Sequence, residues 1–168
     1  QRIGYLDGIT LQSGGNSYNV WRESNPDNNE VFLSKNNSTP INLSNNASSS
    51  VDGVIAVDGN NVYVAWVDIN WSSGDRTAYA VRSTNGGVSF EQPILVDSVN
   101  DDEMIGNSML ISIEVYNGNV YAAWINNDVM FKKLNFGTPA DTPPPADTPP
   151  FTTVQTDLGG GHVCIGYE

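Results

Sequence analysis

Apolar and polar positions alternate with a period of two along most of this chain, in short runs punctuated by Gly, Asn, Asp and Pro, and no sustained apolar stripe has helical spacing. Asn29-Glu30-Val31-Phe32-Leu33-Ser34-Lys35 and Arg76-Thr77-Ala78-Tyr79-Ala80-Val81-Arg82-Ser83 read as strands with one buried face. Each runs through a turn into a short Pro-led strand, Pro40-Ile41-Asn42-Leu43 or Pro93-Ile94-Leu95-Val96. Ahead of them stands a repeated pattern, an aromatic followed three residues later by Trp, in Ser17-Tyr18-Asn19-Val20-Trp21, Val62-Tyr63-Val64-Ala65-Trp66 and Val120-Tyr121-Ala122-Ala123-Trp124. The third copy continues into Asp128-Val129-Met130-Phe131-Lys132-Lys133-Leu134 and stops at Gly137.

The Trp residues are 45 and 58 residues apart, a step that suits one four-stranded propeller blade with loop insertions. The expected fold is therefore all-β, with about two and a half antiparallel, propeller-like blades in a body spanning residues 1–137 and repeat units near 15–58, 59–116 and 117–137. A β-sandwich is the alternative. Trp21, Trp66 and Trp124 are expected to anchor equivalent core layers, where full burial of a large apolar side chain is worth roughly 1.5–3 kcal/mol. With 168 residues, 39% of them hydrophobic, and 16 Gly, the apolar material is spread over short strands.

Ser83-Thr84-Asn85-Gly86-Gly87-Val88-Ser89-Phe90 resembles the Asp-box of the BNR-repeat, sialidase-like β-propellers, whose pattern is Ser-x-Asp-x-Gly-x-Thr-Trp. Ser83, Gly87 and Phe90 match, Asn85 replaces the Asp and Ser89 the Thr. Physically the segment is a turn in which Asn85 bonds its own backbone, Gly86 and Gly87 allow positive φ, and Phe90 plugs the turn onto the blade. Ser34-Lys35-Asn36-Asn37-Ser38 is a reduced version without the Gly or the aromatic. The Asn42-to-Ser49 stretch followed by 55–66 is also similar to tandem repeats of extracellular archaeal surface proteins. The resemblance covers about residues 15–137 and implies a blade architecture in which the box is structural.

Sialidases of this kind hold the substrate carboxylate with three arginines and use a Tyr–Glu pair with an Asp for acid–base work. Here the arginines are Arg2, Arg22, Arg76 and Arg82, with no convergent spacing, and Gln1-Arg2-Ile3-Gly4 lacks the Pro of the family's Arg-Ile-Pro motif. No catalytic residue is expected. His162 is the sole histidine and Cys164 the sole cysteine, which leaves neither a triad, a metal pair nor an internal disulfide. No cofactor is expected; Asp27-Asn28-Asn29-Glu30 and Asp101-Asp102-Glu103 are oxygen-rich enough to collect Ca²⁺ but match no defined calcium loop.

A net charge of −12, with seven Lys plus Arg, excludes the basic footprint that nucleic acids and anionic membranes require. No segment approaches the roughly 20 apolar residues of a membrane-spanning helix. A start at Gln1 is that of a processed mature form or a fragment. Asn36, Asn37, Asn42, Asn46 and Asn70 each begin an Asn-x-Ser/Thr sequon, so a secreted or cell-surface glycoprotein is expected.

After Gly137 the composition changes to a Thr/Pro-rich linker, 138–150, in which Thr142 and Thr148 are candidate O-glycan sites. Residues 151–168 form a candidate β arm, with Phe151, Val154, Val163, Ile165 and Tyr167 as its apolar contacts. Two and a half blades leave open sheet edges, and an arm carrying a strand can cover one in its own chain or in a neighbour. The expected role is a non-enzymatic surface protein that assembles with copies of itself into filaments or lattices. Trp71 stands off the repeat register in Asn70-Trp71-Ser72-Ser73-Gly74 and is a candidate for stacking on sugars, the mark of a carbohydrate-binding alternative. A fragment of a glycoside hydrolase is the remaining alternative.

Overall fold

Residues that tolerate a left-handed backbone close the hairpins: Gly14 and Gly15 (φ 56° and 77°) join the first two strands, and Asn36 and Asn37 (φ 50° and 59°) end the third. A computed structural model describes residues 8–24, 28–100 and 109–137, and these are all-β. The strands are β1 (Gly8–Ser13), β2 (Asn16–Ser24), β3 (Asn29–Lys35), β4 (Ile41–Asn42), β5 (Ser49–Asp58), β6 (Asn61–Ile69), β7 (Arg76–Ser83), β8 (Ile94–Val99), β9 (Ile111–Tyr116), β10 (Asn119–Asn126) and β11 (Asp128–Leu134).

They form three antiparallel meanders, none closed: sheet 1 in the order β1-β2-β3-β4, sheet 2 in the order β5-β6-β7-β8, and sheet 3 in the order β9-β10-β11. The Trp strand is second in every sheet. Among the described residues each sheet thus begins one strand ahead of its Trp, at Gly8, Ser49 and Ile111, because the strand before the Trp hairpins onto it as well as the one after.

Alternation along the Trp strands gives every sheet two distinct faces. One carries the Trp, the other the repeated Tyr and the small residue just before the Trp. The Trp face of sheet 2, with Val62, Val64, Trp66 and Val81, packs with Tyr18, Val20, Val31 and Leu33 from the Tyr face of sheet 1 in one core. The Trp face of sheet 3, with Val120, Ala122 and Trp124, packs with Tyr63, Ala65 and Val67 from the Tyr face of sheet 2 in the other. Sheet 2 is therefore buried on both sides, which explains a strand β6 that is buried from Val62 to Ile69.

β5 adjoins β1, β2 and β3 on one side and β9 on the other. Its pairing with β6 shifts register between Val51 and Val54, and Gly53 in this bulge lies so close to sheet 1 that a Cβ there would stand 2.9 Å from Val20 Cγ1 and 3.0 Å from Val31 Cγ1. Glycine is what lets β5 approach sheet 1.

Candidate functional site

The three repeat indoles have different surroundings. Trp66 is fully buried and donates through Nε1 to Asp68 Oδ1 at 2.9 Å on its own strand. Trp124 is buried too, but its Nε1 reaches across to Asp97 Oδ2 on sheet 2 at 2.7 Å. Trp21 is only half-buried and lies outside both cores, stacked on Phe32 with ring centroids 6.0 Å apart. Its position differs from the expected core layer because sheet 1 comes first, and among the described residues no sheet supplies the Tyr face that covers its two counterparts.

The segment 83–90 is a turn held by its own side chains. Ser83 Oγ accepts from the backbone N–H of Gly87 at 2.9 Å and donates to Asn85 Oδ1 at 2.8 Å. Asn85 Oδ1 also accepts from the N–H groups of Val88 and Ser89 at 3.1 and 3.0 Å. Gly86 and Gly87 take φ of 71° and 83°, and Phe90 packs on the core between sheets 1 and 2. All of these contacts serve to close the turn.

A polar network joins sheet 1 to sheet 2 through the Asn/Ser-rich connection. The buried Glu30 carboxylate accepts from Ser44 Oγ and from Asn28 Nδ2, whose amide also donates to the carbonyl of Asn46 at 2.7 Å. Asn46 Nδ2 donates to Asp68 Oδ2 at 2.7 Å, and Ser50 Oγ donates to Asp68 Oδ1 at 2.6 Å. Burial pushes the Asp68 carboxyl above the ordinary value of 3.8, opposed by the hydrogen bonds from Ser50, Asn46 and Trp66 and reinforced by the charge of Glu30. Beside Asp68 opens a polar pocket of about 220 Å³, lined by Asn70, Asp75, Thr77, Tyr79 and Ser98 among others. Trp71, 70% exposed, sits in the same β6–β7 loop as Asn70 and Asp75.

Two faces and one edge stand apart from the two cores formed by the described residues. The Tyr face of sheet 3 carries Tyr121, Ala123 and Ile125 on β10 opposite Val129 and Phe131 on β11: Ile125 pairs with Val129, Ala123 with Phe131, and the Tyr121 and Phe131 rings stack at 5.4 Å. Ile125, Val129 and Phe131 are 43%, 50% and 44% exposed. The Trp face of sheet 1 presents the Trp21–Phe32 pair with Thr10 and Asn19. Finally, sheet 3 has three strands among the described residues where sheets 1 and 2 have four, and β11 is its last.

No protein-family model matches the chain, and no curated protein matches it.

The remaining residues singled out in the sequence are scattered. Arg76 and Arg82 stand six residues apart on β7, about 20 Å at the rise of a strand, and Arg82 forms an ion pair with Glu91 at 2.8 Å. Arg22 is on β2 and lines a second cavity of about 230 Å³ with Ile9, Asp52 and Leu110. Among the sequons, Asn36, Asn37, Asn46 and Asn70 are exposed and Asn42 is half-buried. Asn36 Nδ2 is bonded to Asn16 and Asn46 Nδ2 to Asp68, whereas Asn70 uses its oxygen to accept from Ser72 N–H at 3.0 Å. Glu30 of the first acidic loop is committed to Ser44 and Asn28, and among the described residues no group of three or more His, Cys, Asp and Glu is placed to hold a metal. Arg2, Asp27, Asp101-Asp102-Glu103, Thr142, Thr148, Phe151, Val154, His162, Val163, Cys164, Ile165 and Tyr167 lie outside the described residues. No helix among the described residues is long and apolar enough to cross a membrane.

Asp68, Asp97 and Gly53 were not anticipated from the sequence. The Asn42-to-Ser49 stretch was the available signal for Asp68, since so many short polar side chains between two apolar strands need buried partners.

Proposed function

We propose that this chain is a non-catalytic, propeller-like repeat scaffold of the cell exterior that assembles with copies of itself by β-strand addition. The observation that carries the reading is the unequal strand count. Among the described residues sheets 1 and 2 are finished by β4 and β8, whereas sheet 3 ends at β11, a strand exposed along most of its length. A further strand on β11 would bring sheet 3 to the size of its neighbours, and an unpaired edge is the usual receptor for strand addition. The segments at 151–156 and 163–167 have the alternating sequence pattern that a donated strand requires, and they follow a Thr/Pro-rich stretch whose composition suits a spacer. The buried carboxylates and ordered turns are accounted for by sheet joints, in keeping with a scaffold.

The test is sedimentation and negative-stain microscopy of the full chain against a chain ending at Gly137. Assembly by the full chain and a folded, non-assembling body are the expected results. Equal assembly by both would overturn strand addition by the arm.

A second reading, a carbohydrate-binding module, is favoured by the 70% exposure of Trp71 in the loop that also lines the polar pocket. A glycan array with wild type and Trp71→Ala tests it: binding that the substitution removes supports this reading.

A further inference from the structure

Both sheet contacts follow one rule: the Trp face of the later sheet meets the Tyr face of the earlier one. On β6 that face is apolar from Val62 to Trp66 and then turns polar at Asp68. Asp68 is the register partner of Thr77 on β7, and Thr77 is the partner of Ser98 on β8, so the three side chains form one row across sheet 2. The row lines the polar pocket of about 220 Å³, together with Asn70 and Asp75 from the β6–β7 loop.

This pocket offers a ligand hydrogen bonds at short reach. Thr77 Oγ1 and Ser98 Oγ stand 3.5 Å apart, beyond the roughly 3.0 Å of a well-made hydroxyl bond, so each keeps the capacity to donate and accept. Asp68 is fixed in orientation by accepting from Asn46, Ser50 and Trp66. The lining carries two carboxylates, Asp68 and Asp75, and no Lys, Arg or His among the described residues. Arg76, next to Thr77, belongs to the opposite face: its register partner Ile69 lies in the core shared with sheet 3.

We infer that the pocket holds one sugar ring that carries no acidic group, with Trp71 as the surface on which a glycan stacks beside it. The inference rests on the carbohydrate-binding reading and is independent of self-assembly. An anionic sugar would meet two carboxylates without a counter-charge, and an apolar group would leave the polar row unpaired. This charge logic is the reverse of an arginine clamp on a sugar carboxylate. The volume lies below the roughly 300–1,000 Å³ of pockets for drug-sized ligands, which limits the occupant to a single ring. The loop that displays Trp71 is closed by its own backbone: the Asn70 N–H donates to the Asp75 carbonyl at 2.9 Å and the Gly74 N–H to the Asn70 carbonyl at 2.7 Å. Indole and pocket are thus presented by one frame that is set before a ligand arrives.

The test is a glycan array probed with the full chain. It pairs oligosaccharides ending in glucose, galactose, mannose or N-acetylglucosamine with the same chains capped by sialic or glucuronic acid. Uncapped chains should bind, and an acidic cap should weaken binding roughly tenfold or more, as a like-charge contact does. Thr77→Val, which removes a hydroxyl and keeps the shape, should weaken binding of the uncapped chains by about tenfold. Ser98→Ala replaces it if Thr77→Val alters the circular dichroism spectrum. Equal binding of capped and uncapped chains would overturn the selectivity. Binding that Trp71→Ala removes but Thr77→Val and Ser98→Ala leave intact would overturn the pocket while keeping the carbohydrate reading. A wild-type chain that binds no glycan would overturn that reading and this inference with it.

Discussion

The indole of Trp124 on sheet 3 donates to the carboxylate of Asp97 on sheet 2 across 2.7 Å, and this is a side-chain hydrogen bond between the two sheets. Its donor is buried with the apolar core that the same two sheets share. Asp97→Ala should therefore destabilise the fold by about 1.5–3 kcal/mol, the range for a hydrogen bond to a charged group. A double-mutant cycle with Trp124→Phe, read from urea midpoints, isolates the pair. A coupling near zero would show that this hydrogen bond adds nothing to the other contacts between the two sheets, among them Lys132 Nζ donating to the Val96 carbonyl at 3.0 Å.

Gly53 stands where β5 bulges toward sheet 1, with room for no Cβ between Val20 and Val31. Gly53→Ala should cost about 1–3 kcal/mol by overpacking. Gly137→Ala, where a Cβ meets nothing within 4 Å, is the control and should stay within about 0.5 kcal/mol of wild type. Thermal or urea unfolding compares them, and equal stabilities would mean that sheet 1 yields to the added methyl.

Asn85 holds its turn through one oxygen that accepts from two backbone N–H groups. Asn85→Ala should cost about 1–2 kcal/mol, since those donors lose their acceptor. Asn85→Asp keeps the acceptor and also accepts the Ser83 hydroxyl, so it should remain within about 0.5 kcal/mol of wild type. Equal losses in the two variants would point to the amide nitrogen, which donates to Ser89 Oγ at 2.8 Å, as the more important half of the side chain.

Asp68 makes a prediction about pH. Burial raises its folded-state value above 3.8, so the folded protein binds more protons than the unfolded chain in the range just above 3.8. In that window stability contributed by this group falls as pH rises and is recovered as pH falls. Asp68→Asn removes the titration, so wild type should gain on the variant as pH is lowered from neutral toward 4, measured by urea midpoints at each pH. A constant difference between the two proteins would show that Asp68 titrates alike in both states.

Strands and their faces were legible because the period-two alternation is strong, and the aromatic-to-Trp spacing marked one strand in each sheet. Which strand begins a sheet was not. The Trp strand pairs with a hairpin neighbour on both sides, so nothing local distinguishes the hairpin before it from the one after. Trp21, Trp66 and Trp124 look alike in sequence, yet their burial is decided by whether another sheet lies opposite, a property of position in the series rather than of neighbouring residues. The indole acceptors were equally hidden: Asp68 is two residues from its Trp and Asp97 is 27 residues from its own. The 83–90 turn was readable in detail because its side-chain hydrogen bonds are all short-range; the Gly86 N–H, which donates to the Asn60 carbonyl at 2.7 Å, was not foreseen.

Sheet 2 is buried on both faces by contacts that follow one rule, and this has a bearing on how such a gene changes length. A duplicated middle sheet would arrive with a surface fitted to the sheet before it and another fitted to the sheet after it. Lengthening the protein by whole units therefore requires no invention at the joins, only tolerance in the connecting loops.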